Sequence, residues 1–432
     1  MDGCRARARR SQFPNIIGSQ RIGGSVSGVR VTSEVGRLRA VVCHAPGPEL
    51  ATVTPANRVD YLFDDLLDVE LARREHAVFT SVLSRFTEVL EVSDLLRETI
   101  AIPAALDGLL TAAGDAIRER ADGAEIDEVV SLFISGEEHQ GGSLAHLVNE
   151  SGYSLPPLPN LFFTRDSAAV VGERVVVASM RHEVRWTEEL IARTLFRHHP
   201  KLRNRGIVYD GASERRLNVH MEGGDIHVLR HDLLLVGLTE RTSAAGIDLL
   251  AQHLFDHGDI KDIVVVLLPS HRTAIHLDMV WTALDRDLCC VYPPFFIGPT
   301  RRPVVHLKQS RVGAREVDGL FSVLRDLDHP MEPLFCGGEK RTMQEREQWG
   351  SGCNFVAVAP GHVIAYGRNE HTLESLATGA GFRSIPAEEF LSQPNLPAAG
   401  ERVVITFDGS ELVRGGGGPR CMTMPILRDD VE

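Results

Sequence analysis

The sequence predicts an α/β protein: a five-bladed, pseudo-symmetric α/β propeller of ββαβ units with an inserted helical bundle domain. Three observations carry that prediction. A pattern of two short strands joined by a tight turn, then a helix, then another strand, recurs along the 432 residues. One internal stretch has helical periodicity and almost no strand signal. Polar clusters recur at one phase of the repeat, just before each hairpin.

Taken in chain order, LRAVVCHAPG reads as a partial first unit. From about Leu66 to Tyr153 the apolar residues follow helical spacing (LDVELARREHAVFTSVLSRF, SDLLRETI, ALDGLLTAAGDAIRERA, SLAHLVNESG), which predicts a bundle inserted into that unit. The next unit is SAAVV-GE-RVVVASM, the amphipathic WTEELIARTLFRHH and GIVYD, with Gly172 and Glu173 as the turn. Another is DIHVL-RHD-LLLVGL, TSAAGIDLLAQHLFDHG and KDIVVVLL. MVWTALDRDLCCVYP looks like a hairpin without its helix, and NFVAVA-PG-HVIAYG, RNEHTLESLATGAG and FRSIP complete the set. Such a unit leaves one sheet face uncovered and must stack on its neighbours; about five of them imply a small propeller. The expected division is a disordered leader over 1–30, the propeller over 31–65 and 154–432, and the helical domain over 66–153.

Charge and composition exclude several functions. A formal net charge of -13 is wrong for a phosphate-binding surface. The one basic cluster, Arg5, Arg7, Arg9 and Arg10, falls in the leader. No apolar run approaches the roughly 20 residues a membrane span needs, so a soluble cytoplasmic protein is expected, with homo-oligomerisation left open. Seven cysteines is an odd count, without CxxC or zinc-like Cys/His spacing, so neither a disulfide framework nor a metal or other cofactor is expected.

In a radial arrangement the polar clusters converge on one cavity. They are Asn160 to Asp166, His220 to Asp225, His276 to Asp278, and the loop from Arg414 through Gly415–Gly418 to Cys421. Alone, each has an ordinary structural role: Asp166 as a turn cap, His276 as a core histidine, Cys421 as a small buried apolar residue. Their shared phase sets them apart. Several carboxylates around one thiol and one imidazole suit a planar cation, and a guanidinium is the natural candidate. Its central carbon is a poor electrophile and calls for a strong nucleophile such as thiolate.

The motifs SEVGRLRAVVCHAPG, LFDD, PPLPNLFFTRD, MEGGD, AIHLDMVWT, EREQW and GGPRCMTMP, in that order from Ser33 to the C-terminus, together resemble arginine deiminase. The resemblance implies the propeller fold, an inserted helical domain and hydrolysis of L-arginine to L-citrulline and ammonia. It implies Cys421 as nucleophile, His276 as acid then base, Asp166 and Asp278 gripping the guanidinium, and Glu222 pairing with substrate and histidine. It further implies Asn160, Arg185 and Arg241 on the substrate's α-carboxylate; Phe163 and Asp225, in the same motifs, are grouped with them as substrate-binding. Three departures bear on recognition of the amino-acid end. Gly416 stands where the family commonly has a second arginine in the final loop, Trp186 follows Arg185 where arginines often run on, and Gly350–Asn354 replaces a DGNN-like sequence. An arginine restored at 416 is expected to tighten the arginine KM if that charge matters. The alternative is a deiminase or amidinotransferase acting on a modified arginine or another guanidino compound in specialised metabolism. Retention of all five chemical residues opposes a third reading, a binding paralogue without activity.

Overall fold

A computed structural model describes residues 27–138, 144, 152–214, 216 and 218–431. The fold is mixed α/β, and among the described residues five sheets have three or more strands. Most of the leader, 1–26, and most of the SLAHLVNESG helix lie outside the described residues.

Two units follow the predicted pattern closely. Ala168–Val171 and Arg174–Val177 form a hairpin closed by Gly172 at φ +59, which a two-residue turn of this hand requires. Helix Trp186–His198 then leads to Ile207–Asp210, parallel to the second strand. In the next unit Ile226–Arg230 and Leu233–Leu238 precede helix Ala244–His257. Ser243 caps that helix, its hydroxyl oxygen accepting from Gly246 N at 3.1 Å. Asp262–Leu267 returns parallel, and two further strands, Val304–Lys308 and Arg315–Val317, extend the sheet.

Three units differ from the reading above. The repeat predicts Arg383–Pro386 beside its hairpin, but Val403–Phe407 lies between it and His362–Tyr366. The cause is composition: VVITF is almost wholly buried, whereas RSIP buries only Ile385 and ends in a proline suited to an edge. The hairpin Trp281–Ala283 and Leu288–Val291 does have its helix, Leu320–Asp326, before the parallel strand Glu332–Phe335. The strands added to the neighbouring sheet delay it. Finally, Leu38–Cys43 pairs with Met424–Arg428 from the other end of the chain and with Glu88–Glu91, after helix Val69–Leu83. That strand and helix both fall inside the stretch read as an inserted helical bundle with almost no strand signal, yet the strand joins the first sheet; four residues, EVLE, are too few for alternation to show.

Helices Val92–Ile100, Pro103–Ala113, Asp115–Ala121 and Ile126–Ser135 follow. Their apolar faces, including Leu96, Ile100, Leu109 and Phe133, join one contiguous buried cluster with Val170, Val176 and Leu195. No helix among the described residues is long and apolar enough to cross a membrane.

Candidate active site

The larger sheets are each entered by a short polar segment. Thr164–Asp166, Gly223–Asp225 and Leu277–Met279 are single 3-10 turns that pack against one another. Asn354 and Cys421 hold the same place before Val356–Ala359 and Met424–Arg428. A cavity of about 20 Å3 is lined by Asp166, His276, Cys421, Asn160, Phe163, Arg185 and Arg241, with Leu62, Arg272, Ile275, Met279 and Gly415–Gly417 completing the wall. That is room for about a water, so the wall must move to admit an amino acid.

All six described cysteines are buried and outside disulfides, so burial does not distinguish Cys421. Its neighbours do. Sγ lies 3.6 Å from Asp278 Oδ2 and accepts from Asn354 Nδ2 at 3.1 Å. Burial, then the Asp278 and Asp166 charges, push the thiol well above its usual value. Asp278 Oδ2 also accepts from Arg420 Nη1 at 2.9 Å, and Arg420 Nε reaches Glu34 at 3.1 Å. Asp278 Oδ1 is buried without a hydrogen-bond partner.

His276 is buried, with Nε2 2.8 Å from Glu222 Oε2 and Nδ1 3.6 Å from Asp166 Oδ1. Burial favours the neutral ring, but the Asp166 charge, the Glu222 hydrogen bond and the Asp225 charge together raise its pKa to about 9. Burial likewise opposes ionisation of Glu222, yet Arg241 and His276 hold its carboxylate well below the usual range. Asp166 Oδ2 accepts from Arg185 Nη1 at 2.8 Å, and Oδ1 has no hydrogen-bond partner.

The residues expected on the amino-acid end are placed differently from one another. Arg185 lines the cavity, but its guanidinium is held by Asp166 and, through two 2.8 Å bonds, by Glu188. Arg241 Nη1 donates to Glu222 at 3.2 Å, while its Nε is buried and unpartnered. Asn160 donates to Tyr61 O at 2.8 Å. Phe163 packs against Phe162, and a Cβ on Gly417 would lie 2.5 Å from its ring, so the glycine loop lies tight against it. Glu222, Asp278 and Asp225 are absent from the lining; the Asp225 oxygens accept from Leu277 N at 2.8 Å and Thr239 Oγ1 at 2.7 Å, a bracing position. Burial raises the Asp225 pKa to about 7. Gly416 sits at φ +90, and its Cβ would lie 3.2 Å from Arg272 Nη2. An arginine there would be strained and crowded, which removes the ground for expecting a tighter KM.

Asp166, Glu222 and His276 offer ligand-type atoms within 4.8 Å of one another. Arg185 and Arg241 already engage the two carboxylates, and two guanidinium cations so placed oppose a metal ion.

Sequence reasoning missed Asn354, although its phase matches that of Cys421 and would have found it. Its amide donates to Sγ and to Asp278 O, and its oxygen accepts from Arg420 N and Cys421 N at 2.8 and 3.2 Å. Asn354→Ala is expected to lower kcat by about 10–100-fold, the loss of one donor to a buried anion. Iodoacetamide should then alkylate Cys421 more slowly at fixed pH; an unchanged alkylation rate would show that the bond does not serve the thiolate.

The family model for arginine deiminase matches residues 60–428. The arginine deiminase of Borrelia garinii subsp. bavariensis is 31% identical over 438 residues, covering 94% of this chain and 100% of the relative. That of Treponema denticola is 31% identical over 436 residues, covering 94% and 99%. Among solved structures, SxtG, an amidinotransferase from Microseira wollei, has a TM-score of 0.52 at 13% identity, covering 93% of this chain and 98% of that one. The N-terminal domain of ArgZ, a cyanobacterial arginine dihydrolase, has a TM-score of 0.50 at 13% identity, covering 90% and 97%. These last two likenesses are of fold.

Proposed function

The chain belongs to the arginine deiminase family, and from that premise we propose how it hydrolyses L-arginine to L-citrulline and ammonia: Cys421 attacks, and His276 serves as acid and then base. One observation carries this reading. The site holds unsatisfied buried acceptors, Asp166 Oδ1 and Asp278 Oδ1, around a thiol, and an unsatisfied buried donor, Arg241 Nε. A ligand with a guanidinium at one end and a carboxylate at the other satisfies both sets.

The electrostatics set the order of events. Before substrate binds, burial and the Asp278 and Asp166 charges keep the thiol protonated. A bound guanidinium neutralises both carboxylates, so the thiol releases its proton to solvent and the thiolate forms beside its target carbon, steadied by Asn354. Sulfur bonds to the guanidinium carbon, giving a tetrahedral adduct. Imidazolium His276 protonates one nitrogen, the C–N bond breaks and ammonia leaves, with an amidino-thioether left on Cys421. Neutral His276 takes a proton from water as its oxygen bonds to the same carbon. The C–S bond then breaks, returning thiolate and citrulline, and the hydroxyl proton is lost to solvent.

The acid role requires imidazolium. With its pKa raised to about 9, His276 is charged below that pH and loses its proton as pH rises through it. Glu222→Gln removes the hydrogen-bonded carboxylate at 2.8 Å, so the midpoint should fall toward the ordinary value of 6.5. Turnover at pH 8 should fall with it, by about tenfold or more. Nitrogen NMR titration of the His276 ring reads the midpoint directly; an unmoved value contradicts this assignment.

The propeller belongs to the same proposal: five ββαβ units closing into a ring, with the helices after Val92 inserted between the first unit and the next. Pairing of Leu38–Cys43 with Met424–Arg428, which joins the chain ends in one sheet, supports closure. The test of function is incubation of the purified protein with L-arginine and, separately, agmatine and N-hydroxyarginine. Ammonia and citrulline should appear in equal amounts from arginine. Turnover of another guanidine with none of arginine overturns the substrate assignment.

A further inference from the structure

Arg272 was not singled out by the sequence, and the chemistry above does not use it, yet it stands at the mouth of the reaction cavity. It opens the 3-10 turn Arg272–Ala274, four residues before His276. Arg272, Met279 and Gly416 form the wall shared by the inner cavity and an outer one of about 290 Å3 lined also by Asp64, Trp349 and Arg414. Whatever enters the inner cavity from the outer one passes this guanidinium.

The Arg272 side chain is aimed by two contacts from the LFDD segment. Nε donates to Asp64 at 2.9 and 3.2 Å, and Nη2 donates to Leu62 O at 2.7 Å. Leu62, at φ +68, also lines the cavity, so the strained backbone that presents its carbonyl borders the site. Nη1 has no protein acceptor among the described residues. Gly416 leaves the space beside Nη2 open, since a Cβ there would come within 3.2 Å. The glycine that seemed to cost the site a cation is therefore what lets this one reach it. Of the other cations at the cavity, Arg185 is spread over Asp166 and Glu188, and Arg241 donates to Glu222 while its Nε stays free for a ligand.

We propose that Arg272 is a specificity-determining residue whose Nη1 takes the carboxylate at the trailing end of the substrate, selecting guanidino acids over guanidino amines. This rests on the deiminase reading of the site. Asp64 and Leu62 hold the fork, Gly416 clears its path, and Arg241 Nε supplies a second donor from within the cavity.

The experiment compares kcat/KM for L-arginine with that for agmatine, the same molecule without the carboxylate, in the full chain and in Arg272→Ala, Arg272→Lys and Asp64→Ala. Arg272→Ala should lower the arginine value about 100-fold, chiefly through KM, and change the agmatine value by less than about threefold. Arg272→Lys should recover part of the preference by restoring charge without the fork. Asp64→Ala separates recognition from stapling of the 62–65 segment: a purely structural Arg272 predicts that Asp64→Ala and Arg272→Ala reduce both substrates alike. Equal losses on the two substrates, or no loss, overturn the proposal. If the unmodified protein hydrolyses no arginine, the deiminase reading fails instead; if it hydrolyses arginine and Arg272→Ala keeps the preference, only this inference fails.

Discussion

Replacing Cys421 with serine is expected to lower kcat by about 10⁴-fold or more while leaving arginine binding within a few-fold of its original strength. The two halves of that expectation come from different atoms. In the proposed mechanism binding rests on Asp166 Oδ1, Asp278 Oδ1 and Arg241 Nε, buried groups left without partners, and a serine at 421 removes none of them. Turnover, in the same mechanism, rests on a sulfur that a bound cation can ionise. A serine hydroxyl has a far higher intrinsic pKa, and the burial and two carboxylates that raise the thiol would raise it as well. Calorimetry with arginine and a citrulline assay on the same protein read the two quantities. Substantial residual turnover would mean that another group attacks the guanidinium carbon.

Asp278→Asn is expected to give two effects of opposite sign. Turnover should fall by about 10²–10⁴-fold, because a buried carboxylate facing the guanidinium becomes neutral and the substrate cation loses a counter-charge. The thiol should meanwhile become more acidic. After burial, the Asp278 charge is the largest cause of its raised pKa, and Oδ2 lies 3.6 Å from Sγ. Iodoacetamide should therefore alkylate Cys421 faster at pH 8 than in the unmodified enzyme, even as citrulline production collapses. The fold should persist, because the asparagine oxygen still accepts from Arg420 and the partner is weakened rather than removed. Slower alkylation together with lost turnover would indicate a general disruption of the loop and contradict the charge argument.

Much of this architecture is legible in residues that act locally. Gly172 and Glu173 between two runs of valine and alanine specify a hairpin, and the helix after it is amphipathic over its whole length, so the unit around 168–210 reads directly. Glu88–Glu91 is not legible in that way. Its place is decided by pairing with a strand 48 residues earlier in the chain, and its own four residues contain too little pattern. Val403–Phe407 shows a third case: a plainly strand-like run whose insertion between two other strands depends on competition for the sheet centre, which buried area decides.

The site divides similarly. Position before a hairpin is a sequence property, and it brings Asp166, Glu222, His276, Asp278 and Cys421 to one region. Which partner a charged side chain engages is not such a property. Nothing in MRHEVRW says that Arg185 turns onto Asp166 and Glu188, and nothing in MEGGD says that Asp225 faces Leu277 and Thr239 while Glu222 faces His276. The final loop is the clearest instance. By motif Gly416 reads as a lost arginine; by geometry it is a backbone position at φ +90 beside the guanidinium of Arg272, a residue 144 positions away in sequence.

The proposed mechanism passes through a covalent bond between Cys421 and the substrate carbon. Its most direct measurement is acid quenching of the enzyme during a single turnover of arginine, followed by mass spectrometry of the peptide that carries Cys421. The predicted result is a transient mass gain on Cys421 equal to arginine less ammonia, rising before citrulline appears and decaying as it accumulates. Citrulline forming with no such adduct at any quench time, or an adduct on a different residue, would contradict it.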